Sequence, residues 1–227
     1  ETVRSMIIDG HDVQLHLHPQ WFNAEFNNGM IYTTDKWNIA SLKSSEQQIL
    51  ITRGISHINQ LYSSLGFAKT VTAFKAGSWG IQPSQEILNN LFREGINVVM
   101  GPVKNTFIPK LNVDFRTLES PTHSYYCDYL DINKVSKDKD NKIMVIPITP
   151  VKLNLVQLIK FITNRGLEKY ISKYDHPLDI DDTTYNNQLP MSPISRDKKS
   201  LFWTHLRINN YPFWYLKSTF DIALNAL

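Results

Sequence analysis

The sequence predicts an α/β protein built on a largely parallel sheet with helices outside it. Two observations carry that expectation. Between residues 11 and 100 the pattern runs strand, helix, strand, helix, strand at short spacing, and such alternation is most simply connected by crossovers that keep the strands parallel. The 227 residues are 42% hydrophobic, enough for one sizeable core. No repeat and no long linker interrupts them, so a single domain over residues 1–227 is expected.

The elements follow in order. Val3, Met6 and Ile7 stand at helical spacing before Gly10, a C-terminal stop, so the chain begins inside a helix. From residue 11 the period becomes two, with Asp12, Gln14, His16 and His18 on one face and Val13, Leu15 and Leu17 on the other, until Pro19 closes the strand. Residues 20–42 hold Trp21, Phe22, Phe26, Tyr32 and Trp37 without a sustained period and read as an aromatic-rich loop. Ser44 or Ser45 caps a helix to about residue 64, with Ile49, Ile51, Ile55, Ile58, Leu61 and Tyr62 as its buried stripe. Residues 70–74 read as a β-branched strand running into Lys75-Ala76-Gly77-Ser78-Trp79-Gly80. A helix from Pro83 or Ser84 to Gly95 follows, then a strand over 96–100 stopped by Gly101-Pro102. Residues 104–142 are less regular. Beyond them the pattern gives a strand over 143–148, a helix over 155–165, a strand candidate over 167–174 ending at Asp175-His176-Pro177, and a last helix from about 218.

Composition excludes some partners. Lys and Arg number 24 against 21 Asp and Glu, a net charge of +3 without the dense basic block that gripping nucleic acid requires. No apolar stretch approaches the ~18 residues of a membrane span. A lone cysteine, Cys127, cannot form an intramolecular disulfide.

The chemistry-bearing residues fall at strand ends. His16 and His18 lie at i and i+2, so both imidazoles point to one side of a strand, close enough to share an ion such as Zn²⁺. Surface or hydrogen-bonded histidines give the same spacing. His176 ends a later strand candidate beside Asp175 and Asp179, and Lys75 follows another beside Gly77, where a missing side chain lets backbone approach a ligand. Parallel α/β architectures place their sites at such ends, which makes a shared pocket plausible for His16, His18, Lys75 and His176.

Three motifs carry a family resemblance. Gly10-His11-Asp12-Val13-Gln14-Leu15-His16-Leu17-His18-Pro19 resembles the Gly-His-Glu-Ile-Gly-x-His stretch of polysaccharide deacetylases, the group with the NodB-type homology domain. Phe74-Lys75-Ala76-Gly77-Ser78-Trp79-Gly80 is similar to that family's Phe-Arg-Ala-Gly-x-x-Gly segment, and Tyr174-Asp175-His176-Pro177-Leu178-Asp179-Ile180 to its Tyr-x-His-Pro-x-Glu-Leu motif. The resemblance spans residues 1 to about 180. It implies a distorted (β/α) barrel and a divalent metal, Zn²⁺ by donor type, held by one Asp and two His. It also implies hydrolysis of acetyl groups from a carbohydrate partner. Carried over, His16 is a metal ligand, His176 the general acid, and Lys75 stands for an arginine that pairs with the base.

The sequence departs from the family in three places. The usual second histidine, four residues after the first, is Gln20 here, so His18 must serve as ligand. Lys75 keeps the charge but lacks the two-pronged guanidinium. The acidic motif belongs on a strand ahead of the opening helix, so the resemblance implies that the domain's N-terminal portion is missing from this chain. Trp21 and Trp79, next to two of the motifs, are candidates to stack on sugar rings. A non-catalytic carbohydrate-binding relative and an inactive fragment of such a domain are the competing expectations.

Overall fold

A computed structural model of the chain describes residues 2–27, 30–138, 141–148, 150–152, 159 and 203–205. The chain opens with α1 (Thr2–Ile8), which His11 N closes by donating to Met6 O at 2.9 Å while Gly10 takes φ +89°. Of the expected stripe only Ile7 is buried; Val3 and Met6 are exposed.

The first strand, β1 (Leu15–Leu17), is shorter than the 11–18 its alternation suggests. Side chains take over the backbone's bonds ahead of Leu15. The Tyr62 hydroxyl accepts from Val13 N at 2.6 Å, and Gln14 Oε1 accepts from Thr72 N at 2.9 Å and Ala73 N at 2.8 Å. The aromatic stretch after it is no plain loop: β2 (Glu25–Asn27) and β3 (Met30–Tyr32) pair antiparallel with Phe26 opposite Ile31. The Asn28-Gly29 dipeptide between them is a hairpin signal in the sequence.

Helix α2 (Ser44–Ser64) runs as expected, although Ile49 of the predicted stripe is exposed and Gln47 is buried instead. Gly54 lets it lie close to β1: a Cβ there would stand 2.6 Å from Leu15 Cδ1. Strand β4 (Ala73–Ala76) falls a few residues later than the 70–74 expected, and ahead of it Thr72 N donates to the Gln14 side chain. Helix α3 (Ser84–Arg93) and β5 (Val98–Met100) complete the predicted alternation. Ile87, Leu88 and Leu91 of α3 are fully buried, each contributing about 1.5–3 kcal/mol by removal from water. Asn90 ties α3 to α2, donating to Gln47 Oε1 and Ser44 Oγ, both at 3.0 Å.

The irregular stretch holds a short hairpin, β6 (Phe107–Ile108) with β7 (Val113–Asp114), and then β8 (Tyr125–Tyr126). Strand β9 (Met144–Ile146) lies within the predicted 143–148, and β10 (Pro150–Lys152) pairs antiparallel with β11 (Trp203–His205). The helices expected over 155–165 and from 218, and the strand expected over 167–174, lie outside the described residues.

The main sheet has the order β1-β4-β5-β9-β8, parallel through β9 and antiparallel at β8. The protein is therefore mixed α/β with a mostly parallel sheet. Among the described strands that sheet is open, with β1 and β8 at its edges. Its two faces differ. Leu15, Phe74, Val99 and Val145 align across four strands on the helix side and are all buried in the core. The opposite row, His16, Lys75, Met100 and Ile146, alternates away from the helices, and Met100 and Ile146 are exposed on it. No helix among the described residues is long and apolar enough to cross a membrane.

Candidate functional site

The row that starts with His16 and Lys75 defines the site. His16 stands opposite Lys75 in the β1–β4 register, and its Nδ1 lies 3.0 Å from Lys75 O. A carbonyl oxygen only accepts, so His16 donates its Nδ1–H there and keeps a bare lone pair on Nε2. His18 closes on it from the end of the strand. The two Nε2 atoms are 2.9 Å apart, with ring centroids 4.6 Å apart and ring planes perpendicular. Gln20, in the 3-10 turn Pro19–Trp21, places its side-chain amide 3.2 Å from His18 Nδ1. Both rings are thus held from behind, and His16, donating Nδ1–H to a carbonyl, has the arrangement by which second partners orient histidine ligands.

Gly77 makes room for the second ring. A Cβ at this position would lie 2.7 Å from His18 Cγ and Nδ1 and 2.6 Å from Leu17 O. The missing side chain at Gly77 thus makes room for the His18 ring. Beyond it Ser78 and Trp79 take positive φ, 53° and 57°, an uncommon conformation for such residues. This turns the chain sharply off β4. Trp79 is packed against the core, whereas Trp21 is 49% exposed. A cleft of about 430 Å³ beside the pair is lined by His16, His18, Trp21, Phe22, Leu50 and Arg53.

The electrostatics keep the imidazoles neutral. Burial first, and then the nearby Lys75 ammonium, hold both His16 and His18 below the ordinary imidazole value. Burial also pulls the Lys75 ammonium below its usual range. A neutral imidazole with a free Nε2 is the form that ligates a metal. Two nitrogens on one tetrahedral Zn²⁺, at ~2.0–2.1 Å each, stand ~3.3 Å apart. To fit, the pair must open by a few tenths of an ångström and give up the hydrogen bond between its two Nε2 atoms. No third His, Cys, Asp or Glu joins a metal-binding group with the pair among the described residues.

The other acids have separate work. Asp12 accepts from Gln14 Nε2 at 2.9 Å and from the Tyr62 hydroxyl at 3.3 Å. Asp114 holds Arg116 at 2.7 Å, and Asp128 accepts from Leu130 N in a turn. Cys127 is buried, and burial pushes its thiol up to about 12, so it carries no thiolate at neutral pH. His176 lies outside the described residues. Sequence reasoning passed over Gln20 as a working residue, though its place directly after the His-x-His-Pro run was the available signal. Arg53 and Leu50 offered none, since they read as ordinary positions on a helix remote in sequence.

Comparison with family models, with curated proteins and with solved structures finds no match to this chain.

Proposed function

We propose that the protein is a metal-dependent carbohydrate deacetylase of the polysaccharide deacetylase type, its domain a distorted (β/α) barrel of which the described sheet is a part. The convergence of His16 and His18 on one point, Nε2 to Nε2 at 2.9 Å, carries the reading. The three sequence motifs support it.

The roles follow from the chemistry of the residues. A bound divalent ion, Zn²⁺ by donor type, supplies a polarised acetyl carbonyl and a water of lowered pKa. His16 and His18 hold it through Nε2, Lys75 O and Gln20 fix their rings, and Gly77 leaves the space that lets His18 reach. Hydrolysis adds water's oxygen to the acetyl carbon and breaks that carbon's bond to the sugar nitrogen or oxygen. In the family's mechanism a carboxylate of the acidic motif, which none of the described residues supplies, takes the water's proton, and His176 would return one to the departing sugar. The Lys75 ammonium stands near both imidazoles, where it offers positive charge to a carboxylate partner and to the developing oxyanion. In the cleft, exposed Trp21 gives an aromatic face for a sugar ring, and Gly77 borders the binding region. Trp79 serves by packing beneath the turn.

Acetate release from acetylated oligosaccharides, with and without added Zn²⁺, tests the reading. Metal-dependent release that His16→Ala abolishes supports it. Glycan binding without acetate release would replace it with the non-catalytic carbohydrate-binding reading.

A further inference from the structure

We propose that Gln20 is a positioning residue that sets the tautomer of His18, its side-chain amide turning over when the histidine pair exchanges a shared proton for a metal ion. The inference rests on the metal reading of the pair and goes beyond it to a residue that does not itself touch the ion.

The hydrogen-bond directions are fixed from both ends. His16 must donate Nδ1–H to Lys75 O, 3.0 Å away, so its Nε2 accepts. At the other end the Gln20 amide nitrogen lies 3.2 Å from His18 Nδ1 and can only donate. His18 Nδ1 therefore accepts, and its proton sits on Nε2, pointing at His16 Nε2 over 2.9 Å. The chain Gln20, His18, His16, Lys75 runs in one direction, and a proton lies between the two nitrogens that would both have to turn toward a cation.

Taking up a cation requires His18 to move that proton to Nδ1. The amide nitrogen cannot accept it there, but the amide oxygen can. Gln20 is 5% exposed, and its Oε1 is buried without a hydrogen-bond partner. Turning the amide by half a revolution thus costs the oxygen no existing bond and gives it Nδ1–H. One bond to Nδ1 is kept in either setting. The backbone need not move, because Gln20 O is anchored by Thr34 N at 2.9 Å and Thr34 Oγ1 at 3.3 Å. The amide has both a donor and an acceptor to offer at this place. A leucine has neither, and an ionised glutamate only accepts.

The test reads the His18 tautomer by ¹⁵N NMR at pH 8 and Zn²⁺ affinity by competition with a chromophoric chelator, in wild type, Gln20→Leu and Gln20→Glu. In the metal-free wild type His18 carries Nε2–H, and on Zn²⁺ saturation it carries Nδ1–H. Metal-free Gln20→Glu already carries Nδ1–H and binds Zn²⁺ at least as tightly as wild type. Gln20→Leu binds roughly 10–100-fold more weakly. If Gln20→Leu does not fold, Gln20→Asn, whose shorter amide cannot reach Nδ1, takes its place with the same expected loss. A His18 tautomer that is the same in wild type and Gln20→Glu, or a Zn²⁺ affinity indifferent to Gln20→Leu, overturns the proposal. A wild type that takes up no Zn²⁺ overturns the metal reading instead, and the metal-free tautomers then decide the role of Gln20 alone.

Discussion

Gly77 and His18 share one space: a Cβ on the glycine would fall 2.7 Å from Cγ and Nδ1 of the histidine ring. The obstacle would be backbone-anchored on one side, with Leu17 O at 2.6 Å, so the ring is what must give. Gly77→Ala is expected to swing His18 off His16 and to weaken Zn²⁺ binding by more than ~10-fold, with an overpacking cost of about 1–3 kcal/mol. Metal titration and urea unfolding of the variant measure the two effects separately.

Lys75 acts on the site through charge. After burial, its ammonium is the second cause holding both imidazoles below the ordinary value, and the same charge repels a cation while attracting an oxyanion. Lys75→Met is therefore expected to hold Zn²⁺ as tightly as wild type or more so, and to lower kcat for deacetylation by at least ~10-fold. A metal affinity that falls together with kcat would assign Lys75 to metal retention instead.

Stability of the metal-free protein should depend on pH through the pair. Burial and Lys75 depress the His16 and His18 values, so the unfolded chain binds protons that the native chain refuses. Stability is then fully present above the unfolded value of ~6.5 and is lost as pH falls from there through the lower native values. Asp114, depressed first by its hydrogen bond from Arg116, adds a loss of the same sign only below ~4. Urea midpoints measured from pH 8 to 5 should decline in wild type, and the decline should flatten in the His16→Gln, His18→Gln double variant.

Much of this was legible in the sequence for local reasons. Helices α2 and α3 show 3.6-residue periods with clear stops, and the i, i+2 spacing of His16 and His18 puts them on one face whatever surrounds them. What escaped depended on contacts far apart in the chain. The backbone where β4 starts is bonded by the Gln14 side chain, 58 residues away from Thr72, whose amide it accepts. The pattern at 11–14 alternates like a strand, yet Tyr62, 49 residues from Val13, bonds that backbone in a ladder's place. Ile49 fits the helical stripe by spacing, but α2 meets β1 and α3 through Gln47, Ile51 and Ile55, and it stays outside. At Gly77 the sequence shows that something approaches closely, but that the His18 ring is among what does depends on the β1–β4 pairing.

Tyr62 gives a stability prediction free of the site. Its buried hydroxyl accepts from Val13 N and donates toward Val13 O at 3.1 Å and Asp12 at 3.3 Å. Tyr62→Phe leaves a backbone donor unpaired and should cost about 1–3 kcal/mol. The urea midpoint reports it, while Zn²⁺ affinity should be unchanged within a few-fold.

The central claim is that His16 and His18 grip one divalent ion between their Nε2 atoms, and calorimetric titration of the metal-free protein with Zn²⁺ tests it most directly. The expected result is one ion per chain in wild type, with affinity falling by well over ~100-fold in His16→Ala and in His18→Ala alike. Binding that survives either substitution, or no binding to the folded wild type, would contradict it.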